Sequence, residues 1–169
     1  FGGRMKQSTR IVFAVLILIS LVAIVLVVET WRGNAAMNSL DVDLEVGDVP
    51  IYQDGQLVAA VNGEELNDLN RVSFVDAEEG KTQDGWLLSD ILSKYLKANF
   101  WDNNMRILVS SSSRAKSVEL TWAEMKDSNN RVMFVLSGRG TLKLVSLLER
   151  LDVRDEWIQD VDKIEVIEP

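Results

Sequence analysis

A run of hydroxyl and cationic side chains is the part of this sequence best equipped to bind an anion. Serine hydroxyls and basic groups can hold a phosphate or a carboxylate through charge-assisted hydrogen bonds. The candidate contacts are Ser111, Ser112, Ser113, Arg114 and Lys116. The same stretch lies where a hairpin connection is expected, and polar, serine-rich segments are common connections. The pattern is therefore compatible with an anion site and with a solvated loop.

Arg139 is a further candidate contact because Gly138 and Gly140 flank it. Glycine lets the backbone approach a ligand closely. A plain turn is the alternative interpretation, since an isolated Gly-x-Gly triplet is common in turns.

Composition excludes most catalytic and metal chemistry. The chain contains no Cys and no His, so it has no disulfide, thiolate metal site, cysteine nucleophile or histidine base. One acidic group alternates along a predicted strand but lacks the spacing and glycine of an EF-hand: Asp41, Asp43, Glu45 and Asp48. Another, at residues 152–162, is mixed with basic residues, as hydrated surfaces are. We expect no catalytic, cofactor-binding or metal-binding residue and no enzyme, with carboxylate chemistry left as the alternative.

Phe100 and Trp101 are a candidate contact for a protein partner. They follow a predicted helix and precede three polar residues, so they could form an exposed aromatic patch. The alternative is that both belong to the core.

An apolar run at residues 11–28, interrupted only by Ser20, predicts a transmembrane helix. At about 1.5 Å per residue it spans roughly 27 Å, close to the hydrocarbon thickness of a bilayer. The anchor includes Ile11, Leu16, Leu18, Leu21, Leu26 and Val28. A cleaved signal peptide and a buried core helix are the alternatives. The run is longer than the usual apolar region of a signal peptide, which favours an uncleaved anchor.

Charges around this run predict its orientation. Arg4, Lys6 and Arg10 precede it, so the positive-inside rule places the N-terminus in the cytoplasm. The expected organisation is a cytoplasmic segment at 1–10, a membrane helix at 11–30, a linker at 31–40 and an extracytoplasmic domain at 41–169. The residues after Arg32 carry 14 basic and 25 acidic side chains, a net charge of −11, which disfavours binding to nucleic acid.

The first part of the outer domain is predicted to be a small β meander. Apolar and polar residues alternate over residues 42–51, which indicates extended structure. Asp54-Gly55 and Asn62-Gly63 are tight-turn signals on either side of a strand at 57–61. Another short strand is predicted at 72–75.

The middle of the domain contains the clearest helix. A polar, glycine-containing stretch at 76–85 predicts a loop, and apolar residues at helical spacing over 88–96 predict an amphipathic helix. Strands are expected at 107–109 and 118–122. Thr121 and Glu124 have the spacing of a capping box, which predicts one short helical turn.

The last part is predicted to be mostly strand. A buried strand at 132–136 is followed by the turn around Arg139 and a strand whose inward residues are Leu142 and Leu144. Residues 147–160 are expected to be helical or irregular, and alternation at Ile164 and Val166 predicts a final strand. Mixed strands with few helices indicate the α+β class, in one compact domain behind a single membrane helix.

The order of these segments resembles the sulfite oxidase type of molybdopterin-binding domain. The similar stretches are GWLLSDIL at 85–92, GTLKLV at 140–145 and WIQDVDKIEV at 157–166. The resemblance implies the fold of that family over about residues 62–166. It also implies a lost cofactor, because the family's molybdenum-ligating cysteine and its histidines have no counterpart here.

Two functions are expected from this combination. The first is a non-catalytic, membrane-anchored accessory or interaction subunit of a membrane protein complex, whose partners are the lipid bilayer and the other subunits. The alternative is an extracytoplasmic domain that binds or senses a small anion or organic molecule in the residual cofactor cleft. Neither requires a cofactor, a metal or a nucleic acid.

Overall fold

The computed structural model describes residues 44–96 and 101–169, which form an α+β domain built mostly from strands. The strands are β1 (Val49–Gln53), β2 (Gln56–Val61), β3 (Arg71–Val75), β4 (Thr82–Leu87), β5 (Arg106–Ser111), β6 (Lys116–Thr121), β7 (Met133–Leu136), β8 (Leu142–Val145) and β9 (Lys163–Ile167). The helices are α1 (Leu88–Tyr95) and α2 (Trp122–Lys126), with short 3-10 turns at Glu65–Asp68, Glu149–Leu151 and Arg154–Glu156.

A five-stranded sheet has the order β2-β1-β9-β5-β6. The β1–β2 hairpin turns at Asp54 and Gly55, whose φ angles of 49° and 79° suit the primed turns that join twisted strands. The parallel pair β1–β9 places Ile51 opposite Ile164. The β5–β6 hairpin completes the sheet on the other side of β9.

A four-stranded antiparallel sheet has the order β3-β4-β7-β8. Leu144 on β8 also bridges to Ile158, and the N–H of Val161 donates to the carbonyl of Leu142. The segment after β8 therefore covers the free edge of that strand.

The main core joins both sheets and α1. It contains Ile51, Ile107 and Ile164 from the five-stranded sheet and Trp86, Phe134 and Leu144 from the four-stranded sheet. Leu88, Ile91 and Leu92 bring the apolar face of α1 into the same core. A second, smaller cluster of Met133, Val145 and Trp157 packs with Val72, Phe74, Leu87 and Val135.

Several sequence predictions are confirmed. The α+β class, the helix at α1, the turn at Asp54-Gly55 and the strands from β5 to β9 are present. Thr121 accepts from the N–H of Glu124, and Glu124 accepts from the N–H of Thr121, which completes the predicted capping box. Residues 147–160 are irregular, with two short 3-10 turns and the isolated bridge at Ile158.

Other predictions are wrong. The predicted loop at 76–85 includes four of the six residues of β4, because pairing with β3 stabilises a polar, glycine-containing stretch as a strand. No meander continues past Asn62-Gly63, since β3 belongs to the other sheet. Residues 46–47 form a turn where alternation predicted a strand. No helix within the described residues is long and apolar enough to cross a bilayer; the predicted anchor and linker lie outside those residues.

Candidate functional site

The outer face of the four-stranded sheet positions a lysine against a tryptophan. Alternation along β8 turns Leu142 and Leu144 into the main core, so Lys143 emerges on the opposite face. There the Lys143 ammonium lies 4.9 Å from the ring centroid of Trp157. Trp157 is fixed by a hydrogen bond from its Nε1 to the carbonyl of Leu151 (2.9 Å), and only 4% of it is exposed. Its indole is thus almost fully enclosed by the protein and leaves no open ring face on which a ligand could stack.

A buried polar chain holds Lys143 in place. Its Nζ donates to Oε1 of Gln83 (3.0 Å), and Nε2 of Gln83 donates to Oδ2 of Asp76 (3.1 Å). Asp76 and Gln83 are 2% and 6% exposed. Among the ion pairs of the described residues none includes Lys143. The half-buried ammonium of Lys143 is therefore oriented by the neutral Gln83 and the ring of Trp157. The buried carboxylate of Asp76 reaches it only through Gln83.

The local charges are tuned by this arrangement. Burial lowers the pKa of Lys143, the neighbouring Arg154 lowers it further, and Asp76 opposes both. The pKa of Asp76 is lowered mainly by the N–H of Glu79, with Gln83 contributing. Asp76 is therefore ionised at neutral pH, and it stabilises the protonated form of Lys143 across Gln83.

Lys143 and Trp157 line a cavity of about 500 Å³ together with Glu78, Glu79, Arg154, Asp155 and Gln159. An adjoining cavity of about 230 Å³ is lined by Arg114, Lys116, Arg154, Asp155, Trp157 and Gln159. Since four lining residues are common to both, we describe the two cavities together as the Trp157 cleft. Its combined size is in the range of small-molecule sites.

Arg154 stands between the two halves of the cleft. Its guanidinium pairs with Glu79 and lies 5.7 Å from the ring centroid of Trp157. Its backbone N–H donates to Oε2 of Glu78 (2.7 Å). The ammonium of Lys116 donates to the backbone carbonyl of Asp155. These contacts attach the 3-10 turn at Arg154–Glu156 to both β6 and the β3–β4 connection.

The two arginines predicted as anion contacts meet on an internal carboxylate. Nε and Nη2 of Arg114 lie 2.7 and 2.6 Å from Oδ2 of Asp160. Nη2 of Arg139 lies 3.0 and 3.1 Å from the two Asp160 oxygens. The Thr141 hydroxyl donates to Oδ1 of the same residue (2.8 Å). The Thr141 hydroxyl is the largest cause of a lowered pKa at Asp160, followed by Arg114 and then Arg139.

The predicted ligand contacts therefore separate into three groups. Arg114 and Lys116 line the smaller cavity, whereas Arg139 lines neither half of the cleft and contacts Asp160. Ser111 ends β5 and is buried, with its Oγ 3.2 Å from that of Ser113. Ser112 and Ser113 begin the β5–β6 turn, and the N–H of Ser112 donates to Asp162 (2.7 Å).

The aromatic candidate Trp101 has a packing role. Its ring stacks on Trp122 with a centroid distance of 3.7 Å and an angle of 6°. It is partly buried against the main core. Phe100 lies outside the described residues, so the predicted partner contact stays a prediction.

Of the acidic residues predicted to alternate along a strand, Glu45 and Asp48 are described, and both make hydrogen bonds before β1 begins. Asp48 accepts from the N–H of Glu45 (2.9 Å) and from Nδ2 of Asn62 (3.0 Å). Across residues 44–96 and 101–169 no group of three or more acidic side chains is placed to hold a metal ion. Asp41 and Asp43 lie outside the described residues.

Sequence reasoning missed most of the cleft. Arg154 belongs to the mixed-charge stretch at 152–162 that the sequence predicts to be hydrated surface, and Glu78 to a predicted loop. Lys143 and Gln159 occur only in the stretches that carry the family resemblance. The available signal was a lone cation between Leu142 and Leu144 on a strand that otherwise reads as core. The chain matches no protein-family model, and no curated protein is significantly similar to it in sequence.

Proposed function

We propose that this chain is a single-pass membrane protein whose extracytoplasmic α+β domain binds a small organic molecule in the Trp157 cleft. The apolar run at residues 11–28, with three cations before it, supports the anchor and its orientation. The cleft supports binding. Such a domain requires no chemistry of its own.

One observation carries the binding proposal. The Lys143 ammonium lines the larger cavity, half-buried, braced by Gln83 and Asp76, and free of a carboxylate partner within the described residues. Burying a charge is costly unless the charge is paired. A ligand that supplies an anionic acceptor to Lys143 would offset part of that desolvation cost, and this gain in free energy favours binding.

We also propose that the domain is a reduced relative of sulfite oxidase-type domains that has lost its cofactor. The stretch at 85–92 crosses from β4 into α1, and the stretch at 157–166 runs from Trp157 into β9. Both contribute residues to the core, so the resemblance concerns the scaffold. Trp157 and Gln159 of the second stretch line the cleft, which agrees with its being the residual cofactor site. The test of this relationship is an experimental structure compared with that family; a different strand connectivity would refute it.

The binding proposal is tested by thermal melting of the full chain in detergent. A panel of small organic acids, amino acids and sugars is screened for compounds that raise the melting temperature. Ligand at about 100 times its Kd stabilises a folded state by about 2.7 kcal/mol, a shift of several degrees. Lys143→Met keeps an unbranched side chain of similar length beside Trp157 and removes the charge, so we expect it to abolish the shift.

Lys126→Met is the matched control, because Lys126 also lies over a tryptophan, Trp122, but outside the cleft. It should retain the full ligand-dependent shift. A panel without effect on the wild-type protein, or an equal shift in Lys143→Met, would contradict the proposal.

A second candidate function is that of an accessory subunit of a membrane complex, in which a partner subunit adds a strand to β3. The outer edge of β3 pairs with no other strand of the described residues. The strand has no proline, no lysine and no register shift to protect that edge, and its one charged residue, Arg71, pairs with Asp84 of β4. Val75 at its end is 61% exposed.

Purification from membranes in mild detergent tests this candidate. A partner should co-purify with the wild-type chain and be lost in Val75→Lys, which places a charge on the edge. Ser117→Lys on the edge strand β6 is the control and should retain it. A wild-type chain that purifies alone removes the support for an accessory subunit.

A further inference from the structure

The larger half of the Trp157 cleft contains unpaired charges of both signs. Lys143 has no carboxylate partner, and Glu78 and Asp155 have no cationic side-chain partner, among the described residues. Glu79 shows the contrast, since it pairs with both Lys81 and Arg154. One cavity of about 500 Å³ is lined by all of these charged residues apart from Lys81, which lies outside it: Glu78, Glu79, Lys143, Arg154 and Asp155.

These opposite charges are fixed on separate elements. Lys143 belongs to β8 and is held by Gln83. Glu78 lies in the β3–β4 connection and accepts from the backbone N–H of Arg154. Asp155 lies in the 3-10 turn at Arg154–Glu156, whose position is fixed by the contacts of Arg154 and Lys116. The ammonium and the two carboxylates therefore line the same cavity from separate elements.

A ligand with charge of only one sign suits this cavity poorly. A simple anion would gain Lys143 and meet the carboxylates of Glu78 and Asp155, which are solvent-exposed and have no cationic side-chain partner among the described residues. A simple cation would gain those carboxylates and meet Lys143 and Arg154. A molecule with an anionic end and a cationic end compensates both sets, and complementary charges are what give a polar site its specificity.

We infer that the Trp157 cleft binds a zwitterion with free ammonium and carboxylate groups, namely an α-amino acid or a short peptide. The ligand carboxylate contacts Lys143, and the ligand ammonium contacts Glu78 or Asp155. This inference rests on the proposed binding function and names its ligand class. The adjoining half of the cleft, with Arg114 and Lys116, provides space for a ligand longer than one residue.

Isothermal titration calorimetry on the full chain in detergent tests the inference. The probes are L-alanine, the dipeptide Ala-Ala, N-acetyl-Ala-Ala, Ala-Ala amide, succinate and 1,4-diaminobutane. We expect alanine or Ala-Ala to bind, and each blocked dipeptide to bind at least tenfold more weakly than Ala-Ala. Tighter binding of Ala-Ala than of alanine would assign the peptide; the reverse order would assign the amino acid.

Variants distinguish the two ends of the ligand. Lys143→Met should weaken binding of the free ligand at least tenfold but leave the remaining affinity for Ala-Ala amide unchanged. Glu78→Gln combined with Asp155→Asn should also weaken binding of the free ligand at least tenfold. It should leave the remaining affinity for N-acetyl-Ala-Ala unchanged, because that probe has no ammonium. Glu149→Gln, outside the cleft, is the control and should have no effect. Melting curves of each variant confirm that it is folded.

Two results would overturn the inference. Binding of succinate without binding of alanine or Ala-Ala would refute the zwitterion and leave the binding function standing. No heat from any probe would also refute it, and the separate melting panel would then decide the binding function.

Discussion

Asp160 is a single residue that joins two segments beside the cleft. Its φ angle of 53° lies in the left-handed region, which costs a non-glycine residue about 1 kcal/mol or more, although Asp and Asn tolerate it best. The carboxylate accepts from Arg114, Arg139 and Thr141. These contacts fasten the segment between β8 and β9 to the β5–β6 turn, so they over-determine the strained backbone.

Asp160→Asn gives a pH-dependent prediction. Asn retains the left-handed preference and loses the charge. The lowered pKa of Asp160 means that its carboxylate stabilises the folded state above the unfolded pKa of about 4, and that this contribution is lost as pH falls through the folded pKa. The variant should be less stable than wild type at pH 7, and the difference should shrink steadily below about pH 4.

Urea unfolding of both proteins at a series of pH values measures this difference. Asp152→Asn, on the exposed surface, is the control and should follow the wild-type curve. A difference between Asp160→Asn and wild type that stays constant from pH 7 to pH 2 would show that the charge of Asp160 is unimportant.

The same residue explains what sequence could provide about the site. Hydroxyl and glycine neighbours make Arg114 and Arg139 candidate anion contacts in the sequence, with a solvated loop and a plain turn as the alternatives. Their carboxylate partner is 46 residues from Arg114 and 21 from Arg139 in sequence. Side-chain type predicts what a residue can bind, but only the strand pairing determines which group reaches it.

At the scale of elements, β4 depends on Gly85. A Cβ added at this position would clash with the backbone carbonyl of Phe134 on β7. The sheet can relieve such a contact only by separating two strands. We expect Gly85→Ala to destabilise the fold by about 3 kcal/mol or more, the upper end for overpacked interiors.

Thermal and urea unfolding check this value. Gly138→Ala is the matched control, because an added Cβ there would meet no atom within 4 Å and its φ is not positive. It should change stability by less than about 0.5 kcal/mol, as substitutions at open surface positions do. Equal stability of Gly85→Ala and wild type would contradict the described packing of β4 on β7.

Local signals predicted some elements and failed for others for a physical reason. The helix α1, the Asp54-Gly55 turn and the Thr121–Glu124 cap depend on residues within a few positions of each other. The polar first part of β4, residues 82–85, depends on pairing with β3, and its assignment to a loop was wrong for that reason. The separation of β2 and β3 into two sheets is likewise a long-range outcome.

At the scale of the whole molecule, the proposed topology can be tested through the absence of cysteine. A single cysteine introduced at the exposed Ser117 should react with a membrane-impermeant maleimide in intact cells. A cysteine at Lys6 should react only after lysis. The opposite pattern of labelling would reverse the orientation, and loss of the protein from the membrane fraction would remove the anchor.

The cleft itself is a property of the whole domain. Its walls come from the β3–β4 connection, the β5–β6 hairpin, strand β8 and the turn at Arg154–Glu156. No segment of the sequence contains more than a few of its residues, so periodicity and motif spacing could not assemble it. The charged residues looked like solvated surface one by one, and their convergence on Trp157 is what supports a binding site.

Native mass spectrometry of the full chain tests the central claim most directly. The protein is released from its own membranes in mild detergent and compared with Lys143→Met prepared in the same way. Binding in the Trp157 cleft predicts a wild-type population whose mass exceeds that of the chain by one small molecule, and a Lys143→Met protein at the bare mass. The same adduct on both proteins, or the bare mass for the wild type at saturating concentrations of the compounds selected by melting, would contradict it.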